Sequence, residues 1–266
     1  MIICSSVTRS KDKMEDAMAA IAAAGFKDID LIAINKWAHF DPADLAADFA
    51  AITKRAENAL KANGLTMRAM NVGMNGQMHD RKKETVESNL KELDALCRFM
   101  KHFGAKNCAL QPLQKDPGRD AADVLKDSVD SLEEYYECTL KHGISLGLEL
   151  HVHSPFESVE AARYVYERIP EATVVFDPTH FISMGGSLKD CEYVMDKAVH
   201  VHIRDAAEDM IQTKVGEGSV DFEWVVTKLL ARGYKGHFSI EYLCNEEWDA
   251  LAEAVKLRGI LEKWIS

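Results

Sequence analysis

Four ionisable residues stand at the ends of short apolar runs in the second half of the chain. The runs are LGLELH, VVFDPTH, HVHIRD and FSIEY, and the residues are Glu149, Asp177, His202 and Glu241. Three carboxylates and one imidazole form an oxygen-rich ligand set that suits Mn²⁺, Mg²⁺ or Co²⁺ and can also take Zn²⁺. A single polar residue at a strand end is as often a solvated cap as a ligand. Four in succession favour one shared site for a divalent metal ion.

A shared site needs an architecture in which distant strand ends meet. In five segments an apolar helical pattern is followed by a glycine and then by a short strand-like run. Four of these glycines recur at intervals of 39, 40 and 39 residues, and they are Gly25, Gly64, Gly104 and Gly143. Glycine suits a left-handed cap at a helix C-terminus, where a Cβ atom would clash. The repeat therefore predicts helices that end at these positions, each followed by a strand.

Eight strands are predicted along the chain. They lie near residues 2–6, 29–34, 67–72, 107–111, 146–151, 173–177, 199–204 and 237–241. Between them, apolar residues at helical spacing predict amphipathic helices, as at Val86, Leu90 and Leu93. This alternation predicts an α/β fold, a (β/α)₈ TIM barrel, rather than an open sheet. Because no Pro/Ser-rich linker interrupts the series, residues 1–266 are expected to form one domain, with the four strand-end residues around its mouth.

Composition argues against several classes of protein. Apolar residues make up 47% of the chain, and no apolar segment approaches the roughly eighteen residues of a membrane helix. The formal net charge is −11 and the basic residues are dispersed, so nucleic acid is not expected as a partner. The six cysteines are widely spaced without a C-x-x-C pair, which favours reduced thiols and a cytoplasmic location. No G-x-G-x-x-G, P-loop or G-x-S-x-G motif supports nucleotide or acyl-serine chemistry.

In their order and strand context, these motifs resemble the xylose-isomerase-like TIM-barrel superfamily. That superfamily includes sugar phosphate isomerases and epimerases, inosose dehydratase, hydroxypyruvate isomerase and endonuclease IV. The resemblance covers most of the chain and is clearest from residue 143 to residue 241, through LGLELH, VVFDPTH, VHVHIRD and FSIEY. The stretch GEGSVDF at 216–222 also resembles the loop before the seventh helix of this family.

The resemblance implies that Glu149, Asp177, His202 and Glu241 bind one divalent cation. It also implies that Glu149 and Glu241 act as acid and base on opposite faces of a small sugar or polyol, with His180 contacting the substrate oxygens. These roles predict a metal-dependent sugar or sugar phosphate isomerase or epimerase. Two alternatives stay open: an inosose-type dehydratase, which needs the same metal and base, and a non-catalytic sugar-binding barrel. A homo-oligomer, in which a second copy closes the site, is also left open.

Two departures from the patterns of the superfamily limit this prediction. The epimerase branch usually has an arginine a few residues beyond the metal-binding histidine, and Glu208 stands at that place here. Endonuclease IV-like enzymes need additional histidines after the seventh strand, but AAEDMIQTKVGEG contains none, and the fourth strand ends in Gln111. The chain is therefore not expected to be a DNA repair enzyme.

Further polar and aromatic side chains near the strand ends are candidates for substrate contacts. Arg204 could hold a phosphate or a carboxylate, or pair with Asp205 or another acid. His151 shares strand parity with Glu149, so it could contact substrate or orient a ligand. The Trp37 ring could cover an apolar sugar face or pack under a loop. The remaining candidates are His39, Asn71 and Gln111.

Overall fold

The computed structural model describes residues 1–34 and 37–265, and eight parallel strands within them close into a barrel. The strands are β1 (Ile2–Ser5), β2 (Asp28–Ile34), β3 (Thr66–Gly73), β4 (Asn107–Leu110), β5 (Ser145–Glu149), β6 (Thr173–Phe176), β7 (Ala198–Ile203), β8 (Asp205–Ala207), β9 (Met210–Thr213) and β10 (Phe238–Ile240). Strands β1 to β7 pair in sequence order, and β10 lies between β7 and β1. The predicted eight-stranded barrel is confirmed. Strands β8 and β9 form a separate antiparallel hairpin.

Helices fill the connections between the barrel strands. They are α1 (Met14–Ala23), α2 (Pro42–Ala47), α3 (Phe49–Asn63), α4 (Lys83–Phe103), α5 (Ala121–His142), α6 (Val159–Arg168), α7 (Pro178–Ser183), α8 (Phe222–Ala231) and α9 (Ala250–Leu261). The connection from β6 to β7 departs from the expected single helix. It contains the short α7 and a 3₁₀ helix at Glu192–Lys197, and Gly185 between them has a φ of 78° that interrupts a regular helix.

Glycines end three of the long helices, as the repeat predicts. Gly64, Gly104 and Gly143 are the C-caps of α3, α4 and α5, with φ values of 61°, 75° and 70°. Their amides donate to carbonyl oxygens of the last helical turn. Gly25 follows the cap of α1 with a φ of 85°. The left-handed backbone at these positions favours glycine, which lets each helix turn directly into the next strand.

The hydrophobic core lies between the barrel strands and the helices packed around them, and four buried cysteines belong to it. Cys4 on β1 and Cys191 just before the 3₁₀ helix at Glu192–Lys197 are both fully buried, and all six cysteines are free thiols. Burial raises the pKa of Cys4, and that of Cys191, to about 12. Within the described residues, no helix is long and apolar enough to cross a membrane.

Candidate metal centre

The four predicted ligands meet at the carboxyl ends of four consecutive barrel strands. Glu149 ends β5, Asp177 directly follows β6, His202 lies near the end of β7, and Glu241 directly follows β10. Each residue contributes one potential ligand atom to a set in which all atoms lie within 4.8 Å of one another. All four residues are buried. The barrel thus brings together groups that are distant in sequence.

The two carboxylate oxygens of Asp177 have different roles, since one caps a helix and the other faces the site. It is the N-cap of α7, and its Oδ1 accepts hydrogen bonds from the Thr179 amide at 2.8 Å and the Thr179 hydroxyl at 2.6 Å. Pro178 at the first helical position supports this helix start. Its other oxygen, Oδ2, is buried and has no hydrogen-bond partner among the described residues. A buried carboxylate oxygen that accepts no hydrogen bond is costly, and a cation beside it lowers that cost.

The imidazole of His202 joins the two glutamates. Its Nδ1 lies 2.8 Å from Glu149 Oε1 and 3.1 Å from Glu241 Oε2. Burial alone would lower the pKa of His202, but the carboxylates of Glu241 and Glu149 raise it well above its usual range. The surroundings of Nδ1 therefore favour positive charge, as they would favour a metal ion at the same position.

Arg204 is a fully buried cation at the edge of this cluster. Its Nη1 lies 2.7 Å from Glu241 Oε2 and 3.1 Å from Asp177 Oδ2, the latter without the alignment of a hydrogen bond. Its Nε donates to the carbonyl of Ile211 at 3.1 Å. Three carboxylates against one guanidinium leave an excess of negative charge, which a divalent cation would offset. The donor atoms and their charge thus fit one divalent ion.

The neighbouring Asp205 does not pair with Arg204 but accepts backbone hydrogen bonds from the loop before α8. Its Oδ2 accepts from the amides of Gly216 at 2.8 Å and Gly218 at 3.2 Å. A Cβ atom on Gly218 would lie 2.1 Å from Asp205 Oδ1. Glycine is therefore required there, and the GEG loop is held against Asp205, the residue that follows Arg204.

The two side-chain amides predicted as substrate contacts lie against the two glutamates. Asn71, on β3, donates from Nδ2 to Glu241 Oε1 at 2.7 Å. Gln111, after β4, donates from Nε2 to Glu149 Oε2. Each glutamate therefore directs one oxygen towards His202 and has the other held by an amide, which defines the plane of both carboxylates.

His180 and His151 pack against each other beside the cluster, with ring centroids 4.1 Å apart and the ring planes tilted by 44°. The Val152 amide donates to His180 Nδ1 at 3.4 Å, so a neutral ring carries its proton on Nε2. That Nε2 is buried, has no hydrogen-bond partner among the described residues, and lies 3.4 Å from Asp177 Oδ2. His151 donates from Nδ1 to the carbonyl of Val152 at 2.6 Å. A free donor of His180 therefore faces the site.

A cavity of about 400 Å³ opens above the cluster. Its polar lining includes Asn71, Gln111, His151, His180, Arg204 and Glu241, and its apolar lining includes Ile34, Trp37, Leu113, Ile211 and Leu243. The Trp37 side chain is 49% exposed, so it lies at the rim rather than under a loop. His39 is not among the described residues that line the cavity, and its Nε2 lies 3.3 Å from the Ser6 carbonyl oxygen.

Comparison with known proteins agrees with this architecture. Residues 18–261 match the family of xylose isomerase-like TIM barrels. The chain belongs to this family. Inosose isomerase of Bacillus licheniformis is 24% identical over 177 residues, which are 62% of this chain and 63% of that protein. The match thus spans less than two thirds of that relative.

Solved structures share the barrel of this family. The 3-keto-D-glucoside 4-epimerase of E. coli superposes with a TM-score of 0.75 at 19% identity, covering 98% of each chain. A xylose isomerase-like TIM barrel protein from Mycobacterium smegmatis in complex with magnesium gives a TM-score of 0.76 at 15% identity. It covers 100% of this chain and 97% of that one. At such identities the likeness establishes the common fold.

One buried residue deeper in the barrel was not predicted from the sequence. Asp30, on β2, is fully buried, and its Oδ2 lies 2.9 Å from His200 Nε2 and 3.2 Å from His202 Nε2. The only sequence signal is an acid in the middle of the apolar strand DIDLIAI, where a charge requires a partner. Asp28 in the same strand pairs with Arg68 instead, so the pattern alone does not separate the two acids.

Proposed function

We propose that this protein is a divalent-metal-dependent isomerase or epimerase of a small sugar, sugar phosphate or related polyol ketone. The observation that carries the proposal is the convergence of four ligand atoms, among them Oδ2 of Asp177, which accepts no hydrogen bond from the described residues, at the base of an open cavity. Family membership supports it, as do the relatives named as an inosose isomerase and a 3-keto-D-glucoside 4-epimerase.

The metal would be held by Glu149, Asp177, His202 and Glu241. Mn²⁺, Mg²⁺, Co²⁺ and Zn²⁺ all accept such a set of three carboxylates and one imidazole. When bound, a divalent ion polarises a carbonyl oxygen as a Lewis acid and so acidifies the adjacent C–H bond.

Proton transfer is assigned to the two glutamates. Glu149 and Glu241 lie at the ends of β5 and β10, which are separated in the barrel by β6 and β7, so they approach the cluster from different sides. Asn71 and Gln111 hold their outer oxygens, so each carboxylate has a fixed orientation towards a substrate carbon. One glutamate would remove a proton beside the carbonyl, and the other would return it to the opposite face or to the neighbouring carbon.

Substrate binding is assigned to the remaining groups around the cavity. The Nε2–H of His180 is free to donate to a hydroxyl or carbonyl oxygen, because Val152 occupies Nδ1. A cavity of about 400 Å³ has room for a small carbohydrate, and its apolar wall reduces the access of water. Trp37 lies at the rim, where its ring can cover the apolar face of a sugar.

Metal content is the first test of the proposal. Elemental analysis should find one divalent ion per chain in the wild-type protein and in His142→Ala, and a strong loss in His202→Ala. His142 is a matched control because it also contacts a carboxylate, Asp94 at 2.8 Å, but lies at the end of α5. Three tightly bound zinc ions per chain would instead favour a nuclease.

Hydrogen exchange is the second test, and it separates the reaction classes. A panel of ketoses and polyol ketones is incubated with the protein in D₂O and followed by NMR and mass spectrometry. We expect exchange of the hydrogen next to the carbonyl and a product of unchanged mass after correction for deuterium, both abolished by chelation of the metal. Loss of water would identify a dehydratase, and ligand binding without any exchange would identify a non-catalytic sugar-binding barrel.

A further inference from the structure

We infer that Asp30 is a positioning residue that makes Nδ1 of His202 the metal-binding nitrogen. The inference rests on the proposed function, because it concerns the same metal site. It assigns a role to a buried carboxylate that does not belong to the four-residue ligand set and does not line the cavity.

The two ring nitrogens of His202 have different surroundings. Nδ1 faces the outer cluster, with Glu149 Oε1 at 2.8 Å and Glu241 Oε2 at 3.1 Å. Nε2 faces the barrel interior, with Asp30 Oδ2 at 3.2 Å. An ionised carboxylate can only accept hydrogen bonds, so Nε2 must carry a hydrogen and donate it to Asp30.

A histidine that keeps a hydrogen on Nε2 has a single lone pair to offer, on Nδ1. Asp30 therefore selects the tautomer in which Nδ1 is free for a cation, and it prevents the ring from rotating away from Glu149 and Glu241. His200 steadies this carboxylate, since its Nε2 lies 2.9 Å from the same oxygen of Asp30. All three side chains are fully buried, so water does not compete for these hydrogen bonds.

Asp30→Asn is the decisive variant, because it keeps the size of the side chain and removes its charge. An amide nitrogen turned towards the histidines would force Nε2 of His202 to accept, which moves the hydrogen to Nδ1. An amide oxygen turned the same way would keep the tautomer but weaken the hydrogen bond. In both cases the affinity for Co²⁺ alone, measured by competition with a chromophoric chelator, should fall by about 10- to 100-fold.

Two controls separate positioning from a general loss of structure. Asp28→Asn makes the same chemical change in the same strand, at the ion pair with Arg68, and should bind Co²⁺ like the wild type. A double-mutant cycle tests the route of the effect. If Asp30 acts through His202, adding Asp30→Asn to His202→Ala should change the affinity by less than about twofold.

NMR of histidine ring nitrogens gives a readout that is independent of activity. In the Zn²⁺-loaded wild type, His202 should show a metal-bound Nδ1 and a slowly exchanging Nε2–H, and this hydrogen should shift or exchange rapidly in Asp30→Asn.

Equal Co²⁺ affinity of the wild type and Asp30→Asn would overturn the inference about Asp30 but not the proposed function. Two ions per wild-type chain and one in Asp30→Asn would also overturn it, since Asp30 would then be a ligand. A wild-type chain that binds no ion would overturn the proposed function as well.

Discussion

The two halves of the barrel mouth differ in the charge of their strand-end side chains. Strands β5, β6, β7 and β10 present carboxylates, an imidazole and the Arg204 guanidinium to the site. Strands β3 and β4 present the neutral amides of Asn71 and Gln111. One half thus supplies the groups that can bind a cation or move a proton, and the other supplies hydrogen bonds that hold those groups in place.

Neutral donors suit the second task. An amide donates a hydrogen bond to the outer oxygen of a glutamate without adding a formal charge near its inner oxygen. A lysine at the position of Asn71 or Gln111 would instead offset the negative charge that a metal ion needs, and would compete with it. The neutral half therefore orients the glutamates without reducing the negative charge that the other half offers to a cation.

Removal of a charge from the ionisable half should have the largest effect. Glu241→Gln keeps the size of the side chain and one oxygen ligand but removes its basicity, so turnover should fall by about 10²- to 10⁴-fold with a modest loss of metal affinity. Exchange of the substrate hydrogen in D₂O, followed by NMR, measures this. Glu247→Gln, an exposed neighbour, is the matched control. If Glu241→Gln keeps its metal and still exchanges at the wild-type rate, Glu241 is only a ligand.

Introduction of a charge into the neutral half should have a smaller effect. Asn71→Asp places a carboxylate against Glu241 Oε1 in a buried site, and repulsion would raise the pKa of one member of the pair. Turnover at neutral pH should then fall by about 10- to 100-fold, as is typical when a residue that orients a ligand is lost. The pH profile of turnover measures this, with the exposed Asn58→Asp as control. An unchanged profile would mean that Asn71 does not orient Glu241.

A change at the rim of the cavity should have the smallest effect. Trp37→Ala removes an aromatic surface at the rim of the cavity, so KM should rise by about fivefold, which corresponds to roughly 1 kcal/mol, while kcat is unchanged. Steady-state kinetics on the substrate identified in D₂O separate the two constants. A fall in kcat with KM unchanged would place Trp37 in the chemical step instead.

The barrel itself is predictable from local signals. Capping glycines such as Gly64 and Gly104 mark the helix ends, and apolar runs mark the strands, because both depend on neighbouring residues alone. The connection between β6 and β7 and the β8–β9 hairpin were not predicted. Their segments are short, and the hairpin turns through Asp209 at a φ of 61° without a glycine at that position.

The residues of the candidate site could be predicted where barrel topology alone brings them together. Contacts that depend on the direction of a side chain could not be predicted. Glu149 and Asp177 could be grouped because the strands of a barrel open on one face. The partners of Asp30 could not be predicted, since one of them, His200, is 170 positions away in the sequence. Asn71 was expected at the mouth, but the sequence does not show that its amide reaches across the barrel from β3 to Glu241, which follows β10.

The buried thiol of Cys4 allows local opening of the barrel at β1 to be measured. Cys4 lies on β1, the strand that joins β10 and completes the ring of strands. With no exposed surface and a pKa of about 12, its sulfur is both shielded and almost entirely protonated near neutral pH. A thiol reagent can therefore modify Cys4 only during a local opening of the first strand. The rate at which the reagent modifies Cys4 therefore reports how often β1 separates locally from its neighbouring strands.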